Sequence, residues 1–202
     1  MFFLYKVFFI FILLLNTTQL LADEASDWLK IEIDDILSTY RNTSISKTDR
    51  FSLVENTINK NFAGAGIAKF VAGEAWFLAT KETKKEYIKL FKKHLALNIS
   101  SIMKGYSSQE YLLTNSKYDE KNKVSMINME IYHDTGNLNV TWRVKKSKGR
   151  YFVIDLIVAD ISLVVTKRSE FNSMLKKVNG SLSKLNDVVR SQNETSYSIV
   201  IN

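Results

Sequence analysis

The apolar period of this chain shortens from about four residues to two after Gly105 and lengthens again after Val158. A block of helices, a block of strands and a second block of helices therefore follow one another. Ala25–Thr39 reads as a helix with Trp28, Ile31, Ile36 and Tyr40 on one stripe and Asp34 and Asp35 opposite. Thr48-Asp49-Arg50 starts a second, in which Leu53, Val54, Ile58 and Phe62 recur, and Gly64-Ala65-Gly66 breaks it. A short helix, Ile67–Ala72, leads through Gly73 into Glu74–Thr80. Thr80 can cap a long helix running to about Met103, with Glu82 and Thr83 in its first turn. Tyr87, Ile88, Phe91, Leu95, Ile99 and Ile102 form its apolar stripe, and Lys81, Lys85, Lys89 and Lys92 line another face.

Four strands follow: Tyr111–Tyr118, Lys123–His133, Leu138–Lys146 and Tyr151–Val158. Short turns at Asp119–Asn122, Asp134-Thr135-Gly136 and Lys148-Gly149 imply antiparallel pairing. In the third strand Leu138, Val140, Trp142 and Val144 point one way, and Asn139, Thr141, Arg143 and Lys145 the other. That alternation describes a sheet with one covered and one wet face. The fourth strand is apolar on both faces except at Asp155, so it is expected to be central or covered on both sides. Ser162–Val178 returns to helix, with Leu163, Val164, Phe171, Leu175 and Val178 inward and Gly180 as its stop. Ser181–Val189 is a last amphipathic helix. Ser191–Asn202 reads as a frayed tail, with Ile199-Val200-Ile201 able to dock as an edge strand. The fold class is α+β: helices on one face of a curved four-stranded antiparallel sheet, an arrangement able to enclose an apolar cavity.

Composition decides the compartment. Lys6 is the only charge in Met1–Ala22, followed by an apolar run Val7–Leu15, a polar patch Asn16–Gln19 and Leu20-Leu21-Ala22. This reads as a cleaved secretory signal peptide over residues 1–22, since the run is well short of the roughly 20 apolar residues of a spanning helix, with an uncleaved anchor as the alternative. The mature chain, 23–202, is expected to begin near Asp23 and to form a single domain outside the cytoplasm. The whole chain has 28 Lys+Arg and 21 Asp+Glu; without Lys6 the net charge is +6. That excess fits anionic lipid surfaces or acidic proteins, and an exported protein is not expected to meet nucleic acid. There is no cysteine, so the core alone holds the fold. There is no proline either, which leaves element boundaries soft.

Little catalytic chemistry is visible. His94 and His133 share no metal-ligand spacing with each other or with carboxylates, and both read as surface histidines, so neither metal nor cofactor is expected. Gly64-Ala65-Gly66-Ile67-Ala68-Lys69 lacks the spacing of a phosphate loop. Asp155 interrupts an apolar strand and needs a partner, for which Arg168 is a candidate. The lysine face of the long helix reads as a solvated face or as an anionic membrane or partner surface. Phe62, Phe70, Trp76, Phe77, Phe91, Met126, Met129 and Trp142 form an aromatic and Met-rich set that is either packed core or cavity wall.

The segments Leu138–Arg143, Gly149–Asp155, Ala159-Asp160-Ile161-Ser162-Leu163-Val164 and Thr166–Phe171 resemble the MlaC family of periplasmic phospholipid-binding proteins, also called toluene-tolerance proteins. The signature is an aromatic–x–Val–x–Asp strand, a Gly-Val-Ser-Leu-like turn and an Arg–x–x–Phe helix ending at Gly. Upstream, Phe62, Ala68, Gly73, Trp76, Ala79-Thr80, Glu86-Tyr87, Phe91 and Leu95 are similar to the family's helical block, so the resemblance spans roughly Asp23–Val189. Tyr151 stands where the family has Trp, and Asp160 where it has Gly before the turn; the second change bears on the turn's conformation.

The resemblance implies a carrier that buries the tails of a diacyl phospholipid and passes it between an outer-membrane lipoprotein–porin complex and an inner-membrane ABC transporter with an MCE-domain subunit. It implies no catalysis, and a monomer is expected. The expected cavity wall is Phe70, Trp76, Phe91, Leu95, Ile127, Met129, Ile131, Val140, Trp142, Val144 and Leu163, with Asp155 and Arg168 structural. Two other readings stand beside it: a small cavity enzyme of isomerase or hydratase type, with Asp155 as its acid–base group, and a helical adaptor without ligand. Another lipid, such as a hopanoid, is a further cargo for the carrier.

Overall fold

The computed structural model describes residues 24–106, 109–132 and 136–202. The expected signal peptide, His133 and the turn residues Asp134 and Thr135 lie outside the described residues. The chain forms two compact units. The first runs to Ile33 and resumes over Glu110–Asp160; the second comprises Asp34–Gln109 and Ile161–Asn202. Among the described residues no helix is long and apolar enough to cross a membrane.

The sheet has the order β1-β2-β3-β4-β5; β1 Tyr111–Asp119, β2 Val124–Ile131, β3 Leu138–Ser147 and β4 Arg150–Val158 belong to the first unit, and the two-residue β5 Ile161–Ser162 begins the last segment of the second. Among the described residues five strands are present where the period-two pattern announced four. Two residues are too few to show alternation, so β5 carried no signal. The β1–β2, β2–β3 and β3–β4 pairs are antiparallel. Lys148 and Gly149 both have positive φ, 50° and 75°, the backbone a two-residue hairpin between right-twisted strands requires. Bulges fall between Leu113 and Asn115 and between Arg143 and Val144, each bending its strand locally.

Helix α1, described over 24–40, opens in this unit. The buried positions of the whole helix are Ala25, Leu29, Ile33 and Tyr40, while Ile31 of the expected stripe is 67% exposed. The buried set follows i, i+4, i+8, and Ile31 falls about 160° away from Ile33's side of that stripe. Trp28 stacks on Tyr151 at 5.7 Å, and Glu24 accepts from both Lys146 Nζ and Tyr151 Oη at 2.8 Å.

The second unit is helical: α2 Lys47–Asn61, α3 Gly64–Ala72, α4 Glu74–Leu78, α5 Lys81–Tyr106, α6 Leu163–Lys177 and α7 Leu182–Ile201. Ser46, Thr80, Ser162 and Ser181 accept backbone N–H bonds at the starts of α2, α5, α6 and α7. Gly64-Ala65-Gly66 does not break a helix but opens α3; the break lies at Phe62 and Ala63. A Cβ on Gly64 would stand 2.9 Å from the Lys92 side chain, so this glycine permits the close approach of α3 to α5. At the end of α6, Asn179 (φ 54°) and Gly180 (φ 73°) are both left-handed, and Gly180 N–H reaches Leu175 O at 2.8 Å.

The expected frayed tail is wrong, and so is the edge strand. Helix α7 is continuous to Ile201 and buries Asn193 and Val200. It lies along α5 in the same direction. Asn186 Nδ2 donates to Thr83 O at 3.2 Å, Asn193 Nδ2 to Leu90 O at 2.9 Å and Lys104 Nζ to Ile199 O at 2.9 Å. Asn186 and Asn193 are two turns apart and share a face. Polar residues inside the buried stripe concealed it from a hydrophobic-period reading.

Candidate functional site

In the sheet unit, register gathers six of the expected wall residues on one face. Ile127 pairs with Trp142 and Met129 with Val140, while Ile131 sits opposite Leu138 and Val144 opposite Ser125. The period of two puts all of these side chains on the same side. Ile127, Met129, Val140 and Val144 are buried, and Ile131 and Trp142 are half-buried. The indole Nε1 of Trp142 is shielded from solvent and has no hydrogen-bond partner among the described residues. A buried donor left unpaired on a face of hydrocarbon is costly.

The opposite face carries Thr141, whose hydroxyl donates to Asn128 Oδ1 at 2.9 Å, and the Arg143–Asp155 pair. Asp155 is 3% exposed and accepts from Leu156 N–H at 2.8 Å. Its cation is Arg143, with Nη1 3.6 Å from Oδ2, and not Arg168. Counting back from the Lys148–Gly149 turn sets Arg143 against Ile154. The bulge at Arg143/Val144 inserts one residue and brings Asp155 into that place. A side chain directly across the ladder meets the carboxylate before one from a distant helix does.

The helical unit holds the other expected wall residues, and they occupy different surroundings. Phe91 is buried in an aromatic nest, edge-to-face with Phe171 at 5.4 Å and 6.0 Å from Tyr87. Tyr87 is fully buried, its hydroxyl has no partner among the described residues, and burial pushes its pKa up. Leu95 is buried one turn after Phe91, and Leu163 is half-buried at the first turn of α6. Trp76 is half-buried beneath Lys84 at 5.6 Å, and Phe70 is exposed beneath Arg168 at 4.3 Å.

His94 is not a solvated surface residue. Its ring stands edge-on to Phe171 at 5.4 Å, and its Nδ1 lies 3.2 Å from Asn193 Oδ1. Asn193 Nδ2 donates to Leu90 O, so the Asn193 oxygen accepts and His94 Nδ1 carries the proton. Nε2 is then a buried acceptor without a partner among the described residues. Burial, and next the Lys167 charge, push the His94 pKa below its ordinary value. His94, Asn98, Lys167, Glu170 and Thr195 line a polar cavity of about 540 Å³. A histidine directly after a lysine pair on a long helix reads as a surface residue. Its i, i+3 spacing from Phe91, on the inward stripe, is the signal that was there. Among the described residues, no three His, Cys, Asp or Glu side chains gather in a metal-like group.

The sequence profile described as MlaC protein matches residues 31–191. The chain belongs to the MlaC family. Comparison with curated protein sequences returns no match. Among solved structures, a phospholipid-binding protein from Ralstonia solanacearum, determined in complex with a phospholipid at 1.53 Å, has a similar fold. The TM-score is 0.73 at 16% identity, over 87% of this chain and 98% of that one. The MlaC match takes in both the sheet strands with their apolar face and the helices that hold Phe91 and His94.

Proposed function

We propose that this chain is a periplasmic phospholipid carrier that moves lipid between outer-membrane and inner-membrane Mla-type complexes and so maintains outer-membrane lipid asymmetry. Membership of the MlaC family over residues 31–191 carries the reading. The phospholipid bound to the Ralstonia solanacearum protein of similar fold supports it. The physical need is plain. A diacyl lipid exposes about 30 methylenes, each costing roughly 0.8 kcal/mol in water, or on the order of 24 kcal/mol in all. An apolar wall replaces that cost with contacts as good as those of the bilayer, so transfer becomes nearly neutral and needs no catalytic residue.

The acyl tails lie against the apolar face formed by Ile127, Met129, Ile131, Val140, Trp142 and Val144. The unpaired Trp142 N–H suits a lipid ester or phosphate oxygen, which would supply the missing acceptor. The partners in transfer are an outer-membrane lipoprotein–porin complex and an ABC transporter complex with an MCE-domain subunit, and the carrier acts as a monomer. The test is native mass spectrometry of protein purified gently from a membrane-containing source, followed by lipid extraction. Added mass of one or two diacyl phospholipids is expected. Protein that is uniformly free of lipid, or that carries a hopanoid instead, overturns the phospholipid reading.

A further inference from the structure

The helical unit exposes an apolar patch edged with unpaired cations. Phe77 is 71% exposed and Leu78 87% exposed at the end of the five-residue helix α4, with Val165 of α6 at 58% and Phe70 of α3 at 44%. Leu78, Val165 and Arg168 line one groove of about 680 Å³, together with Ala72, Leu175 and Lys176. The patch is continuous, because Phe70 lies under Arg168 and Lys69 lies over the Phe77 ring at 5.5 Å.

Each exposed ring is faced by a cation: Arg168 over Phe70, Lys69 over Phe77, and Lys84 over the neighbouring Trp76. None of Lys69, Lys84, Arg168 and Lys176 forms an ion pair among the described residues. Glu74 is the one carboxylate lining the groove among those residues. Nothing in the fold requires two adjacent large apolar side chains, Phe77 and Leu78, to stand in water. Scattered exposed leucines are ordinary, but a contiguous apolar patch rimmed by charge marks an interaction surface.

We propose that this patch docks the protein onto an anionic bilayer surface. Phe77 and Leu78 enter the headgroup–acyl boundary, while Lys69, Lys84, Arg168 and Lys176 meet lipid phosphates around them. Charge complementarity selects an anionic surface, since two cations, Arg168 and Lys176, line the groove against one carboxylate, and Lys69 and Lys84 stand over the neighbouring rings. Protruding side chains at the tip of a short helix fit a fluid surface, which needs no preformed pocket for them. Lysine and arginine stems also remain on hydrocarbon while their heads reach phosphate. The proposal concerns binding at the membrane surface and does not depend on the chain carrying a lipid.

The full chain is sedimented with vesicles of phosphatidylglycerol and phosphatidylethanolamine, and in parallel with phosphatidylcholine alone. It should pellet with the first and not with the second. Raising salt from about 0.1 M to about 1 M shortens the screening length from about 10 Å to about 3 Å and should release it. Arg168→Gln should lower partitioning about fivefold, the value of one cation near an anionic surface. Phe77→Ser with Leu78→Ser should abolish pelleting and leave the melting temperature unchanged. Protein in the pellet reports docking; phospholipid left with soluble protein reports carriage, so either can fail alone. Wild-type protein that stays in the supernatant with anionic vesicles overturns the proposal and leaves an acidic protein as the occupant. Full pelleting of the Phe77→Ser, Leu78→Ser variant also overturns it.

Discussion

Arg143 on β3 reaches across the ladder to Asp155 on β4, with Nη1 3.6 Å from Oδ2, and a one-residue bulge sets that alignment. The carboxylate is 3% exposed, whereas the arginine side chain is 35% exposed. Most of the desolvation cost therefore falls on Asp155. Asp155→Asn should destabilise by about 1–3 kcal/mol, the cost of spoiling a buried hydrogen-bonded charge. Arg143→Gln should cost less, because water can reach the carboxylate from Arg143's side. The double variant should cost less than the sum of the singles, whereas Asp155→Asn with Arg168→Gln should be additive. Urea unfolding of the three single and two double variants checks this. If Asp155→Asn were fully stable yet removed a measurable turnover, an enzyme would replace the carrier.

Val140→Trp and Val144→Trp place bulk on the sheet's apolar face. If that face carries acyl tails, both variants should fold and lose copurified lipid. In an ordinary packed core the same change would cost about 1–3 kcal/mol. The measurements are melting temperature and extracted phospholipid per protein. A large fall in melting temperature with lipid retained would make the face plain core.

Stability should depend on pH through His94. Burial and Lys167 lower its pKa from the ordinary 6.5, so the unfolded chain takes up the proton first as pH falls. The stabilisation is complete above 6.5 and declines as pH drops below that value through the folded pKa. Lys167 opposes the charged ring, while Glu170 and Asn193 favour it. His94→Gln should flatten the slope of the urea midpoint between pH 7.5 and pH 5; an unchanged slope would assign the titration elsewhere.

The turn between β4 and β5 carries strain. Ala159 (φ 46°) and Asp160 (φ 65°) are both left-handed, and Asp160 stands where the family resemblance implies glycine. The left-handed penalty is roughly 1–2 kcal/mol per residue, partly offset by the greater unfolded freedom of glycine. Asp160→Gly should raise stability by about 0.5–1 kcal/mol, and Ala159→Gly by at least as much, because Ala lacks the local hydrogen bonding of Asp. Thermal melting decides it.

Truncation after Arg190 should be severe, since it removes Asn193, Val200 and the Tyr197 ring that stands edge-on to Phe51 at 5.1 Å. Asn193→Ala alone should cost about 1–3 kcal/mol, because it leaves the His94 Nδ1–H without its acceptor. A truncated chain that melts like the full one would mean that the end of α7 contributes nothing.

The sequence by itself determined the kinds of most elements and the bounds of four strands, though not β5 or the second half of α7. Four strand spans agree with the structure to within one or two residues, as does the start of the long helix at the Thr80 cap. Those features are local: period reports which face of a segment is buried, and a cap acts within one turn. The alternation in β3 likewise put Val140, Trp142 and Val144 on one face before any pairing was known. Tertiary structure alone decided the partners. Asp155 met Arg143 because a bulge shifted the register by one residue, and His94 is half-buried because Asn193, ninety-nine positions later, lies beside it. Helix α7 ran to Ile201 because two asparagines on its inner face found carbonyls on α5. Such contacts join segments far apart in the chain, and their energy depends on geometry that no local period encodes.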